Sequence, residues 1–400
     1  MKSEWTYRPL GELVSFASGG TPSKKRDDYW GGTIPWISAK TLKTENIDTS
    51  DLFITEEGLK AGSKIAPKGS ILLLTRGSGL FNGIPIARVE KDVAFNQDIK
   101  CLDSYGEVEN EFIFYWLLSQ KDYLMAKVGV TGIGAGKFDL DFLQKLMIPI
   151  PSERERKSIV GFASSISEKI RCNAKVNDNL EQQAVALFKS WFVDFSLFGG
   201  TVPENWEDTT LENITTLITR GIAPKYSDNS DQTVVNQKCI RNHTIDLSLA
   251  RTHTPKAINE KWLKFGDLLI NSTGDGTLGR VAQVWFAPKA LTVDSHVTIV
   301  RPAREELIFY IGLWGILHEK EIESLHTGST GQTELPRDRV KMLKLLLPDN
   351  ISLSRFNSII APMASTIISN QEENQKLASL RDTLLPKLMS GEIDVSSIQL

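Results

Sequence analysis

A chain written twice folds as two similar units, and three strings of this sequence recur at almost one spacing. Gly69-Ser70-Ile71-Leu72-Leu73-Leu74-Thr75-Arg76-Gly77-Ser78-Gly79 returns as Gly266-Asp267-Leu268-Leu269-Ile270-Asn271-Ser272-Thr273-Gly274-Asp275-Gly276, an offset of 197 residues. Glu111-Phe112-Ile113-Phe114-Tyr115 returns as Glu306-Leu307-Ile308-Phe309-Tyr310 at 195, and Leu146-Met147-Ile148-Pro149-Ile150-Pro151 as Leu343-Lys344-Leu345-Leu346-Leu347-Pro348 at 197. Each unit opens with short apolar runs cut by Gly and Pro, such as Ile34 to Ser38 and Ile71 to Thr75, which predicts a β-rich globule. Helical spacing follows over Glu111 to Val128 and Glu306 to Leu325, then one more apolar strand, closed by Pro151 or Pro348.

Beyond each proline a longer helix is predicted. Ile159, Ala163, Ile166, Ile170, Asn173, Asn177, Leu180, Ala184, Leu187 and Trp191 step alternately by four and three, the seam of a coiled coil. Adding 197 gives a second seam of Phe356, Ile360, Met363, Ile367, Asn370, Asn374, Leu377, Arg381, Leu384 and Leu388. Two matched seams predict that the helices pair with each other, with Asn173, Asn177, Asn370 and Asn374 fixing register at some cost in stability. The first helix carries the chain from one globule to the next; the second, running antiparallel, brings it back towards Met1. The expected fold is therefore α+β: two tandem β-rich domains separated by two long helices in an antiparallel coiled coil, pseudo-two-fold and near-circular. Helices of roughly 40 residues are about 60 Å long. The expected divisions are 1–151, a helical spacer at 152–195, a linker at 196–205, 206–348, a second spacer at 349–392 and a tail at 393–400.

Composition excludes several classes. A hydrophobic fraction of 41% with 24% charged residues gives each half a normal core and no disordered or fibrous signature. The run Met1-Lys2-Ser3-Glu4-Trp5 has no apolar stretch behind its lysine and no segment is long enough to span a bilayer, so a cytoplasmic place with no membrane contact is expected. Cys101, Cys172 and Cys239 are isolated and odd in number, against a disulfide framework or CxxC metal site. No adjacent proline pair exists to build the base-holding loop of an amino-methyltransferase. Gly132-Ile133-Gly134-Ala135-Gly136-Lys137-Phe138 fails as a phosphate loop, because Thr131 stands where Gly is required and Phe138 replaces the Mg²⁺-binding Ser or Thr. His318-Glu319 lacks the second His of a zinc helix, Ile322 standing in its place. No catalytic residue and no metal site are expected.

Net charge is −3, so any nucleic-acid surface has to be a local patch. The candidates are basic loops beside aromatics. Thr21, Lys24, Lys25 and Arg26 precede Tyr29-Trp30-Gly31-Gly32, a turn-rich stretch able to meet phosphates. Residues 220 to 264 hold Arg220, Lys225, Lys238, Arg241, Arg251, Lys256, Lys261 and Lys264 against Asp228, Asp231, Asp246 and Glu260. Arg76 and Arg280 sit in Gly-rich turns that permit close approach to DNA. Trp5, Trp30, Trp36, Trp206 and Trp262 suit the core better than base stacking.

Gly19-Gly20-Thr21-Pro22-Ser23, Tyr29-Trp30-Gly31-Gly32-Thr33-Ile34-Pro35-Trp36-Ile37, Ile148-Pro149-Ile150-Pro151 followed by Glu153, Arg154, Arg156, Ile159 and Val160, then Asn179-Leu180-Glu181 and Ala186-Leu187-Phe188-Lys189-Ser190-Trp191-Phe192, resemble the specificity subunits of type I restriction-modification enzymes. The resemblance spans the chain. It implies two target-recognition domains, each reading half of a bipartite site in double-stranded DNA, with the helix pair setting the gap and docking two methyltransferase subunits. Restriction subunits would join them, and S-adenosylmethionine, ATP and Mg²⁺ would be cofactors of those partners. The second unit departs from the pattern: Arg220-Gly221-Ile222-Ala223-Pro224 stands for Gly-Gly-Thr-Pro, and Leu353-Ser354-Arg355-Phe356 for the charged helix start. That departure tells against symmetric partner docking there. A specificity subunit of a fused methyltransferase-nuclease, and a structural adaptor that never touches DNA, remain the alternatives.

Overall fold

The computed structural model describes residues 5–394 apart from 133, 229, 275 and 329–332. Its contacts divide into two units, residues 1–171 with 374–400 and residues 172–373, and each carries part of both long helices.

In the first unit a five-stranded sheet has the order Val14–Ser18, Ile99–Ser104, Ile71–Leu74, Ile86–Val89, Asn46–Ile47, and a four-stranded sheet the order Phe53–Ile54, Trp30–Ile37, Val93–Phe95, Lys64–Ala66. Ile71–Leu74 is apolar throughout because both its faces are covered. In the second unit the order Thr215–Arg220, Val297–Pro302, Leu268–Asn271, Val281–Gln283 repeats four of those five strands, and Arg251–Thr252, Thr233–Val235, Leu291–Val293 repeat three of the smaller sheet. Each globule is closed by the same antiparallel pair, Thr6–Pro9 with Met147–Ile150 and Glu207–Thr210 with Lys344–Leu347. The helices expected over Glu111 to Val128 and Glu306 to Leu325 are each broken. Asn110–Ser119 is followed by Lys121–Met125, and Ile308–Leu317 by Glu319–Ser324. Gln120 (φ −97°, ψ 5°) and His318 (φ −102°, ψ 14°) leave the helical region at matching points, a turn that helical periodicity in the sequence does not register.

The long helices run Glu153–Phe192 and Asn350–Met389, 40 residues each and 197 apart. Their first turns are capped by different chemistry. Ser152 and Glu155 form a reciprocal capping box, Ser152 N–H donating to Glu155 Oε2 (3.0 Å) and Glu155 N–H to Ser152 Oγ (3.4 Å). Asp349 accepts from the N–H groups of Ile351 (2.8 Å) and Ser352 (3.0 Å). A tryptophan indole donates to each capping carboxylate, Trp5 to Glu155 (3.3 Å) and Trp206 to Asp349 (2.8 Å), which ties each globule to the helix it launches.

The helices pair antiparallel within each unit. In the second, Asn173 donates to Glu373 (2.7 Å), Asn370 to Asn177 Oδ1 (2.8 Å), and Asn177 to the Ile367 carbonyl (3.4 Å), while further along Phe192 meets Phe356 at 4.8 Å between ring centroids. In the first, Asn374 donates to the Ile170 carbonyl (3.3 Å) and Arg381 to Ser167 Oγ (3.1 Å), and Ile159 and Ala163 share one core with Leu385, Leu388 and Met389. Arg381, buried at a seam position where the first helix has Ala184, forks onto Glu45 at 2.6 and 3.0 Å. A Cβ on Gly391 would lie 3.3 Å from the Trp5 ring, so the two ends of the described chain meet in this unit.

Truncating Asn177 to Ala strands the Asn370 amide and is expected to cost about 1–3 kcal/mol in denaturant unfolding, whereas replacing both by Leu costs less or stabilises; equal losses would show that the pair does not form. Burial pushes the Asp349 carboxyl up, but the hydrogen bonds from Ser352, Trp206 and Ile351 outweigh it and bring it down to about 2. A carboxyl lowered by folding stabilises above its ordinary value and loses that contribution as pH falls through the folded one. The advantage of the native chain over Asp349→Ala, about 1 kcal/mol at pH 7, should therefore shrink between pH 3.8 and about 2 when melting is followed against pH.

Candidate nucleic-acid interface

One end of each β-globule is built by loops whose backbone hydrogen bonds correspond one for one. Gly20 N–H donates to Phe95 O and Ile222 N–H to Val293 O, both at 2.9 Å; Thr75 N–H donates to Asp98 O (2.9 Å) and Ser272 N–H to His296 O (2.8 Å). Phe138 N–H reaches Thr75 O (2.9 Å) and Leu335 N–H reaches Ser272 O (2.8 Å). Asn96 and Asp294 make the same turn, each accepting from the N–H two residues on. Burial pushes the Asp294 carboxyl above its ordinary range. Glycine is obligatory where the loops leave their strands: a Cβ on Gly19 would lie 2.0 Å from Phe95 O, and one on Gly221 2.0 Å from Val293 O. Gly221 thus fills the place of Gly19, and the departure from Gly-Gly-Thr-Pro leaves the backbone path unchanged.

On this shared frame the first unit displays charge. Lys24, Lys25, Arg76 and Lys137 are exposed. Thr21 donates to Gln97 (2.7 Å), joining the first loop to the Asn96 turn. Arg26 makes a two-pronged contact with Asp28 at 2.8 and 2.6 Å and lies 4.9 Å from the Tyr29 ring centroid. Its guanidinium holds the Asp28 carboxyl below the usual range, in an exposed pair that a phosphate can exchange into. The glycine-rich run rejected above as a phosphate loop is a hairpin: Gly129–Val130 pairs with Gly136–Lys137, which pairs in turn with Arg76–Gly77. Trp30 and Trp36 donate to the Ser23 and Gly20 carbonyls and meet edge to face at 5.2 Å, serving the core.

The second unit spends much of its basic excess on itself. Arg220 pairs with Glu334 (2.6 Å) and donates to Leu335 O (3.0 Å), pinning a loop and leaving little charge for a ligand. Arg280 donates to Gly276 O (2.6 Å), Lys256 to Ala223 O (2.9 Å) and Lys261 to Gly221 O (3.0 Å). Arg251 stacks 3.7 Å over Tyr226. Lys225, Lys238 and Arg241 are exposed, Arg241 beside a tight turn in which Asn242 (φ 49°) and His243 (φ 60°) are both left-handed. Thr273, where the first unit has Arg76, shares a 2.6 Å hydrogen bond with His296 and donates to Gln237 (3.3 Å).

Comparison with known proteins follows this plan. Residues 2–182 match the model of the type I restriction modification DNA specificity domain. The specificity subunit of the type I restriction enzyme MjaIX of Methanocaldococcus jannaschii is 27% identical over 99% of this chain and 95% of its own length. Residues 2–182 thus match a DNA specificity domain, and the chain resembles the specificity subunits of type I restriction enzymes over nearly its whole length. The EcoR124I/EcoR124II specificity subunit of Escherichia coli is 31% identical over 40% of each chain. The crystal structure of the S subunit from M. genitalium, 17% identical, covers 96% of both chains with a TM-score of 0.54 and shares the fold.

The loop frame also carries Lys137, Thr273, His296 and Gln237, which the sequence reading does not place among its DNA-binding candidates. The repeat held the signal for Thr273, which stands 197 residues after Arg76. Among the described residues no group of three or more His, Cys, Asp or Glu is placed to hold a metal ion, and no helix is long and apolar enough to cross a membrane. Because Arg220 serves the loop, Arg220→Ala should lower thermal stability by about 1–3 kcal/mol, whereas Lys225→Ala and Lys238→Ala should stay within about 0.5 kcal/mol; a neutral Arg220→Ala would return that residue to the surface candidates.

Proposed function

We propose that this chain is the DNA-recognition subunit of a type I restriction-modification complex, each domain reading one half of a bipartite duplex target and the helix pair setting the gap between the halves. The observation that carries this reading is one loop frame built twice with different side chains on it, which is what two half-sites of different sequence require. The family match supports it independently.

The chain supplies recognition without an active site of its own, and works in the cytoplasm. Two methyltransferase subunits dock on it, and restriction subunits complete the complex. S-adenosylmethionine, ATP and Mg²⁺ belong to those partners. Half-sites on one face of the duplex have centres about 34 Å apart, within the reach of a rod of roughly 60 Å.

Binding of the full chain to duplex DNA is expected to be sequence-dependent and to weaken steeply with salt. An adaptor that never touches DNA would show neither. Deleting one heptad from each long helix, in register, should shorten the accepted gap while both half-sites keep their sequence, read by methylome sequencing in the presence of the methyltransferase subunits; a changed half-site would break this division of labour.

A further inference from the structure

Resting on the DNA reading above, we propose that Arg76 is a base-reading residue of the first domain, taking the O6/N7 edge of a guanine in that domain's half-site, and that Lys137 beside it takes a neighbouring phosphate. The two face each other across an antiparallel ladder, Lys137 paired with Arg76 and Gly136 with Gly77. The approach is close: a Cβ on Gly136 would meet Leu80 at 2.9 Å and Gly77 O at 3.1 Å, and Gly77 itself is at φ 138°. Glycine on both strands therefore fixes two long cationic side chains next to each other on a rigid pair of strands.

Neither cation is used internally. Among the described residues no carboxylate lies within ion-pair distance of Arg76 or Lys137; in the facing turn the Asn96 amide donates to the Asp98 carboxylate (3.3 Å). The second domain shows what a neutralised version of the same place looks like. There Thr273 and Glu334 stand for Arg76 and Lys137, and Glu334 is held by Arg220. In the first domain the position of Arg220 is Ser18, occupied with Lys100. One backbone thus carries two cations in the first domain and a neutral Thr273 beside an internally paired Glu334 in the second, so the shared frame does not itself require Arg76 or Lys137. An exposed guanidinium matches the two acceptors of guanine in the major groove, and an ammonium serves a phosphate as a point charge.

The test selects from a pool of duplexes randomised over the target length, with the full native chain, Arg76→Ala, Lys137→Ala and Thr273→Arg. The native chain should return two fixed half-sites. Arg76→Ala should lose, by at least about tenfold, the preference for guanine at one position of one half-site and leave the other intact, which also certifies that the variant is folded. Lys137→Ala should weaken binding to all sequences alike and lower the slope of affinity against salt by about one. Thr273→Arg should alter only the other half-site. The proposal is overturned if Arg76→Ala keeps every preference, erodes both half-sites together, or loses a base other than guanine. If the native chain selects no sequence at all, the DNA reading itself fails and this assignment goes with it.

Discussion

In the second unit the Asn370 amide donates to the Asn177 side chain, a contact that ties the two long helices there to one register. Both lie in an apolar seam, and each is satisfied only where it is: Asn370 donates to Asn177, which donates to the Ile367 carbonyl. A slip by one heptad would put these amides against aliphatic side chains and leave buried polar groups unmet, at about 1–3 kcal/mol each. Register in turn dictates which turns of the second helix face each globule, because residues three and four apart share a face. Leu385 and Leu388 lie in the core of the first unit, and Phe356 and Ile360 in that of the second.

The two ends of the pair are not interchangeable. In the second unit Phe188, Trp191, Phe192, Trp206 and Phe356 form a connected set of rings, with centroid separations of 4.8 to 6.0 Å among contacting pairs. In the first unit the matching helix positions are the aliphatic Ile159, Leu385, Leu388 and Met389, and the seam holds Arg381 clamped to Glu45. A buried ion pair adds little net stability, but stranding one of its members is costly. Placing the first helix where the second belongs would remove the partner of Glu45 and force bulky rings into an aliphatic site. Distinct layers at the two ends thus exclude the exchanged arrangement that near-identical helices would otherwise permit.

Long-range organisation was legible because it is carried by period and repetition. The offset of 197 predicted two long helices, and the structure has two, Glu153–Phe192 and Asn350–Met389. The Asn positions were legible for the same reason, since polar residues in an apolar seam stand out. What a side chain does locally was not. Arg220 and Arg280 look like surface cations in the sequence, yet one is held by Glu334 and Leu335 and the other by its own turn. The partners of Arg220 are more than a hundred residues away in the chain, beyond any local pattern. Lys137 was hidden differently, inside a motif weighed only as a nucleotide loop.

Under the proposed DNA reading, the disposition of charge lets an acidic chain address a polyanion. Screening limits the reach of an exposed charge to about 10 Å at 0.1 M salt, so a net charge of −3 spread over 400 residues matters less to a phosphate than the groups within one loop. In the first domain those groups are Lys24, Lys25, Arg76 and Lys137, all exposed. In the second, Arg220, Arg280, Lys256 and Lys261 are bound to their own backbone, and the matching place shows Thr273, His296 and Gln237. Under the proposed DNA reading, salt-dependent attraction in the second domain falls to the exposed Lys225, Lys238 and Arg241 rather than to these internally bound cations.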